Sequence, residues 1–446
     1  MVTEMKRKHL FPQLILTTIF ASLVPLWCSL SFGKAVMVLL TVFLSLSYLV
    51  IIFGGGRAKT ESPRLRRIDK GADLIWLGGF TALLGLAVLI WWLIRTEAGI
   101  GAKIGASVML LLTSAVMVFA GVVRVAAGSK QIKLRDYILL LCLWWCPVMN
   151  LFIFRSLYKT ARREYVFEAD KLELENARAE SEICKTKYPV LMVHGIFFRD
   201  WQLLNYWGRV PATLIRNGAQ IYYGDQQSAM SIKDSAEELK KAILRVIKET
   251  GAEKVNIIAH SKGGLDSRYA ISCLGMDKYV ATLTTINTPH KGCDMVDYLL
   301  DKLPDSVASF IAARYNRIFR TLGDTAPDFM AGVRDLSAKK AASYDELMPD
   351  SPDVSYRSVM SVMSRAGSAG PPLNIGYMLI KKLNGRSDGL VWEESAIHGR
   401  HTFVTAPKKR GISHGDMIDL FRENIEGFDV REFYAGIVSE LKKEGW

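Results

Sequence analysis

The sequence predicts two architectures in one chain: an all-α membrane region, then an α/β domain built on a mostly parallel sheet. Three observations carry this reading. The first third of the 446 residues holds five long uncharged apolar runs, short apolar strands alternate with amphipathic helices after about Lys185, and one serine sits where a strand turns into a helix.

The five runs are Phe11 to Leu30, Ala35 to Phe53, Leu74 to Ile94, Ile104 to Val123 and Tyr137 to Phe154. None contains an acid or a base, and each is near the length that a hydrocarbon core of roughly 30 Å requires. A core helix of a soluble domain keeps a polar face, so five such runs in succession predict about five transmembrane helices over residues 1–158. Lys6, Arg7 and Lys8 precede the first run as in a signal peptide, but the run is long and lacks a small-x-small cleavage site, which predicts a retained anchor. Thirteen Lys and Arg lie before Phe11, from Arg57 to Lys70 and from Arg124 to Arg135, against Lys34, Arg95 and Lys103 in the alternate loops. Basic residues stay on the cytoplasmic side. The N-terminus is therefore expected in the cytoplasm and, after five crossings, the C-terminal region outside it, although Arg155, Lys159, Arg162 and Arg163 pull the other way.

The net charge of +13 divides unevenly. Residues 1–163 carry 20 bases and 6 acids and the remainder 37 and 38, so the excess is loop charge beside a membrane, with anionic lipid as its natural partner. No basic surplus is left on the rest of the chain to track a nucleic-acid backbone. Cys28, Cys142 and Cys146 lie in the apolar runs and Cys184, Cys273 and Cys293 are scattered, in no disulfide or metal-site spacing. Residues 159–185 are charged and rich in Glu, Ala, Leu and Arg, and predict a helical stalk.

From 186 to 446 the pattern is that of the second domain. Strands are expected at Val190 to Val193, Ile221 to Tyr223, Val255 to Ile258 and Ala281 to Ile286, with a helix near Ser235 to Glu249 and a strand-like Thr402 to Thr405. Over 299–352 the strand signal disappears. There Val307, Phe310, Ile311, Tyr315, Ile318, Phe319 and Leu322 make a helical stripe, either packed on the core or forming a lid. A final helix is expected to open with a capping box, Asp429 and Glu432, and to bury Phe433, Ile437 and Leu441.

The chemistry centres on Ala259-His260-Ser261-Lys262-Gly263-Gly264, which follows the strand and opens a helix. A serine on so sharp a turn leaves little room for Cβ atoms two positions either side, and Ala259 and Gly263 meet that demand. This is the nucleophile elbow of an α/β-hydrolase. A serine hydroxyl needs a base and a third group to orient that base, and in this fold the chain order is Ser, then Asp or Glu, then His. Of the histidines after Ser261, His290 precedes any plausible acid, and His398 and His401 read as surface or strand-edge residues. His414, in the glycine-bracketed loop Gly411 to Asp416, is the candidate base. Asp388, in the turn Asn384 to Gly389, is the candidate acid, while Asp416 and Asp419 follow the histidine and are set aside. Val193-His194-Gly195-Ile196 follows the first strand and offers an oxyanion loop, with the backbone N–H groups of Ile196 and Lys262 as donors. His194 reads as a structural hydrogen-bonding residue.

These residues resemble the bacterial true lipases, secreted triacylglycerol lipases of the α/β-hydrolase superfamily. The likeness runs from about Tyr188 to His414, through Tyr188 to Gly195, Val255 to Ser261, Thr288 to Gly292, Ser387 to Val391 and the Ser413-His414 loop. It implies Ser261 as nucleophile, Asp388 as acid and His414 as base. The family often holds its histidine loop with a structural calcium, and the resemblance implies Asp416 as one ligand; its partner aspartate, some twenty residues before Asp388, is missing, since Ala366 to Gly370 carries no carboxylate. No cofactor and no metal are assigned.

Together these features predict a membrane-anchored serine hydrolase that cleaves carboxylic esters, favouring lipid esters because Ile196-Phe197-Phe198 and the lid segment suit an acyl chain. Transfer of the acyl group to another acceptor, or a channel carrying a non-catalytic hydrolase-like domain, are the rival readings.

Overall fold

The computed structural model describes residues 10–30, 32–56, 60–143, 145–196, 206–227, 229–321, 324–404, 407 and 409–446. It divides into two compact units, Met1–Leu174 and Glu175–Trp446.

The first unit is helical. α1 (Leu10–Ala21) and α2 (Leu23–Ser29) are bent by 63°, and α3 (Lys34–Phe53), α4 (Pro63–Arg95) and α5 (Ile100–Gly128) follow. α3, α4 and α5 are long and apolar enough to cross a membrane, and the bent pair makes up to a fourth span. Large apolar side chains such as Leu39, Leu83, Leu111 and Phe119 point outward, as a lipid-facing helix requires. Some hydroxyls inside the bundle are paired: Thr17 meets Thr81 at 2.7 Å, and Tyr48 donates to the Thr113 carbonyl. α4 and α5 approach closely because glycines line the seam. A Cβ at Gly121 would stand 2.7 Å from the Gly71 carbonyl oxygen and 2.8 Å from Ile75, and small residues are what allow helix backbones to close in this way.

The fifth expected run, Tyr137 to Phe154, is divided between α6 (Leu134–Leu143) and α7 (Pro147–Ala177). Pro147 opens α7, where its missing N–H is tolerated and where a continuous helical ladder is interrupted. Ile153, Leu157, Ala161 and Tyr165 of α7 share a core with Leu65, Ile68 and Ala72 of α4 and with Val122 and Val125 of α5. Glu164 accepts hydrogen bonds from Ser129 Oγ and the Lys130 amide, just past α5, and pairs with Arg64 in the first turn of α4. At Glu164, α7 therefore stands at the end of the bundle where α4 starts and α5 stops.

The second unit is built on a six-stranded parallel sheet in the order β2-β1-β3-β4-β5-β6. Its elements run β1 (Val190–Val193), α8 (Val210–Arg216), β2 (Ile221–Tyr223), α9 (Ile232–Thr250), β3 (Val255–His260), α10 (Lys262–Cys273), β4 (Val280–Ile286), α11 (Asp294–Lys302), α12 (Asp305–Thr321), α13 (Phe329–Asp335), α14 (Ala338–Leu347), β5 (Ser355–Met360), α15 (Leu373–Leu383), β6 (Arg400–Phe403) and α16 (Val430–Lys443). β1, β3 and β4 are buried along their whole length, the mark of a sheet covered on both faces. One core lies between the sheet and α8 and α16, the other between the sheet and α9 and α10. α11 to α14 occupy the segment without strand signal. Leu322 lies outside the described residues; of the rest of the stripe, Phe319 is buried, whereas Val307, Phe310 and Ile318 are exposed.

α16 departs from expectation. Asp429 accepts from the Arg431 amide, but the Glu432 carboxylate is taken by the Arg178 guanidinium at 2.6 and 2.7 Å, so no capping box closes. Its buried face is Tyr434, Val438 and Leu441, with Phe433 and Ile437 only half-buried at the rim.

The α4–α5 seam yields a direct test. Gly121→Leu is expected to part the helices and lower the thermal midpoint of the detergent-purified protein by several degrees, while Gly79→Leu, whose Cβ meets nothing within 4 Å, leaves it unchanged; equal midpoints would refute the close packing.

Candidate active site

β3 ends at His260 and α10 begins at Lys262, leaving Ser261 alone to make the turn at φ 56°, ψ −131°. Three hydrogen bonds fix it: the Ser261 amide donates to the Ile286 carbonyl at the end of β4, while its carbonyl accepts from Thr288 Oγ1 and the Gly264 amide. A Cβ at Gly263 would lie 2.4 Å from the His194 carbonyl oxygen, so the small residue read from the sequence is a steric necessity.

The candidate acid and base arrive from the next strands. Asp388 follows β5 and is fully buried, not a solvated turn residue. Its Oδ1 accepts the Leu390 and Val391 amides at 2.8 Å each, and its Oδ2 lies 2.6 Å from His414 Nδ1. The His414 amide also donates to the Asp388 carbonyl. His260, the neighbour of Ser261, has its ring centroid 4.4 Å from that of His414. Ser261, Asp388 and His414 thus all stand beyond the carboxyl ends of strands, where parallel sheets gather their functional groups.

The proposed oxyanion donors sit on either side of this turn. Ile196 follows β1, and a Cβ at Gly195 would be 2.8 Å from Ser261 Cβ. Lys262 is the first residue of α10, where an amide has no intrahelical acceptor. Phe197 and Phe198 lie outside the described residues. The Lys262 side chain turns inward to Asp266 at 2.7 Å and Ser235 Oγ at 2.9 Å. Burial pushes the Asp266 carboxyl up to about 7, with Lys262 pulling the other way.

Two residues without an assigned role join the site. Tyr206 Oη accepts from the Gly195 amide and lies 2.8 Å from His260 Nδ1, tying the loop after β1 to the residue before Ser261. Nothing in the local pattern around Tyr206 marks it. His260 Nε2 finds no partner among the described residues. Burial, with His414 nearby, holds the His260 imidazole well below its ordinary range.

The other histidines lie elsewhere. His194 is buried between the Gly195 and Gln226 carbonyls, His398 meets Asp350 and stacks on His290, and His401 meets Ser358 Oγ. Asp419 is bound to Arg209, and Asp416 to Arg410 and Ser413. Among the described residues the cysteines form no disulfide.

The family described as lipase (class 2) matches residues 187–292. A triacylglycerol lipase of Burkholderia plantarii is 34% identical over 185 residues, 39% of this chain and 51% of that protein. One from Pseudarthrobacter phenanthrenivorans is 34% identical over 176 residues, covering 37% of this chain and 54% of its own length. Triacylglycerol lipase 2 of Saccharomyces cerevisiae is 34% identical over 263 residues, 54% of this chain and 75% of that protein. The chain belongs to the lipase family of α/β-hydrolases. It spans about half the length of the two bacterial lipases, and the matched segment of this lipase-like chain lies in the unit that carries Ser261.

Burial makes the site sensitive to acid. His260 and His290 are both held well below the ordinary imidazole range, so below about pH 6.5 the unfolded chain takes up protons that the fold refuses. Stability present above that pH is lost as the pH falls toward the folded values. The thermal midpoint is expected to drop as the pH falls below about 6.5, less steeply in His260→Gln; an identical slope in the variant would exclude His260 as a source.

Proposed function

We propose that this chain is a membrane-anchored serine hydrolase that cleaves carboxylic esters of lipids through an acyl-enzyme. The observation that carries the reading is the buried Asp388–His414 pair beside a serine in the elbow conformation. In this mechanism His414 takes the proton of Ser261 as its Oγ attacks the ester carbonyl, and returns it to the leaving alcohol. Asp388 steadies the imidazolium, the amides of Ile196 and Lys262 receive the negative charge on the carbonyl oxygen, and water completes the second half. The relatives' name, triacylglycerol lipase, supports a lipid-ester substrate. So does the exposed apolar face of α12 at Val307, Phe310 and Ile318, a lid in this reading, since such a face is stabilised by lipid rather than water.

In this reading residues 1–158 are the membrane region, 159–185 a stalk whose first part is the second half of α7, packed on α4 and α5 at Ala161 and Tyr165, and 186–446 the hydrolase domain. Four crossings, the bent α1–α2 pair and α3, α4 and α5, bring the chain back to its starting side. α6 and the first half of α7 dip in and return, because Glu164 joins the start of α4 and the end of α5. Arg155, Lys159, Arg162 and Arg163 then fall with the other basic loops, in keeping with the charge rule. In this reading the hydrolase domain lies on the cytoplasmic side of the cell membrane; the outward orientation that five crossings entail is the alternative that cysteine labelling decides.

A cysteine added near Trp446 is expected to react with an impermeant maleimide only after lysis; labelling in intact cells would overturn the four-crossing topology. For the chemistry, Ser261→Ala is expected to abolish fluorophosphonate labelling and to lower hydrolysis of a short-chain nitrophenyl ester by about 10⁴-fold or more. With labelled phospholipid the wild-type product is free fatty acid; retained hydrolysis in the variant would exclude the mechanism, and acyl transfer to an added alcohol with no free acid would replace hydrolysis by transfer.

A further inference from the structure

The loop that presents His414 is braced by an internal cation. Arg410 lays its guanidinium on Asp416, with Nη1 2.8 Å from Oδ2 and Nη2 3.1 Å from Oδ1, and Nη2 also meets Glu423 at 2.7 Å. The same Asp416 Oδ2 accepts the Ser413 amide at 2.8 Å and the Ser413 hydroxyl at 2.7 Å. Ser413 precedes His414, so the carboxylate is bound on one side to the base's own backbone and on the other to Arg410. Arg410 is in turn held from β5's exit: its carbonyl accepts the Ser364 amide at 3.1 Å and the Ser368 hydroxyl.

The family's structural calcium does not fit this arrangement. A calcium ion needs six to eight oxygen lone pairs, whereas Asp416 faces N–H and O–H donors on both oxygens. The segment Ala366 to Gly370, which lacks the second aspartate, lies against the Arg410 backbone and supplies a hydroxyl donor there. Among the described residues no group of three or more His, Cys, Asp or Glu could hold a metal ion.

We infer that Arg410 is the positioning residue for His414: its guanidinium fills the bracing role of a divalent cation, making the base loop independent of calcium. The inference rests on the serine-hydrolase reading above. Arg410 touches no reacting atom; it acts through Asp416 and Ser413. The planar fork matches two carboxylate oxygens at once, a geometry that a lysine ammonium cannot reproduce.

The test uses the full-length protein in detergent. Wild-type turnover of a nitrophenyl ester is expected to be unchanged by a chelator and by added calcium. Arg410→Ala is expected to lower kcat between about tenfold and a hundredfold, as a misplaced base does, with KM nearly unchanged, and ethylguanidinium at low millimolar concentration should restore part of the loss. Arg410→Lys, which keeps the charge without the fork, should fall between wild type and alanine. Chelator-induced loss reversed by calcium in the wild type would overturn the inference, as would an Arg410→Ala enzyme with unaltered kcat or with a loss that guanidinium does not touch. A wild type whose Ser261 is inert to fluorophosphonate would instead overturn the hydrolase reading, leaving the two failures distinct.

Discussion

Everything at the site depends on the backbone at Ser261. A side-chain-bearing residue at φ 56°, ψ −131° sits outside the open basins, at a cost on the order of 1–3 kcal/mol. The surrounding sheet over-determines it: β4 supplies the acceptor for its amide, Thr288 the donor for its carbonyl, and Gly263 and Gly264 leave the space that neighbouring side chains would fill. A Cβ at Gly264 would lie 2.2 Å from Thr288 Oγ1. The β3–β4 register is therefore part of the active-site geometry, because a slip by one residue would carry the Ile286 carbonyl away from the turn and reverse which side chains face the core.

The same dependence explains what was legible in the sequence. β1, β3 and β4 are largely apolar runs buried on both faces, so composition marks them, and β2 at the sheet edge is marked by Ile221-Tyr222-Tyr223. β5 escaped notice because Ser355-Tyr356-Arg357-Ser358 looks polar; Arg357 is nonetheless buried, with its charge met by Glu444 beyond α16, a compensation that only the fold supplies. Asp388 and His414 were readable from chain order, whereas the Tyr206–His260 link and the Arg410–Asp416 brace join residues whose pairing follows from tertiary structure. In α16 Leu441 is buried as its pattern predicts, but Tyr434, edge-on against Trp207, and Val438 take the interior in place of Phe433 and Ile437. In the helical unit the apolar length of Tyr137 to Phe154 is visible in the sequence, but not that Glu164 ties the helix to Arg64 and Ser129.

Charged groups in the second unit bind separate segments together. Asp388 is satisfied by two amides and His414, Lys262 by Asp266 and Ser235, and Asp416 by Arg410 and Ser413. Leaving any one of these ions buried and unpaired costs several kcal/mol, so each pair acts as a positional constraint more than as a source of net stability. The three pairs meet the site from different directions: through Asp388, through the first turn of α10 and through the loop that carries His414.

The helical segment after α11 is held differently. Ala229, Ala312, Phe319 and Phe329 form a small cluster separate from the two main cores, and at about 25 cal/mol per Å² of apolar surface its few side chains contribute far less than the sheet-based cores. On its outer side Phe310 remains 71% exposed. Displacing α12 would thus sacrifice little internal packing while offering further apolar surface. In water that exposure opposes opening, whereas at a lipid surface the same area favours it. For the lid proposed above, the weak inner cluster and the apolar outer face would be two halves of one device, with the open form stabilised by the substrate's own phase.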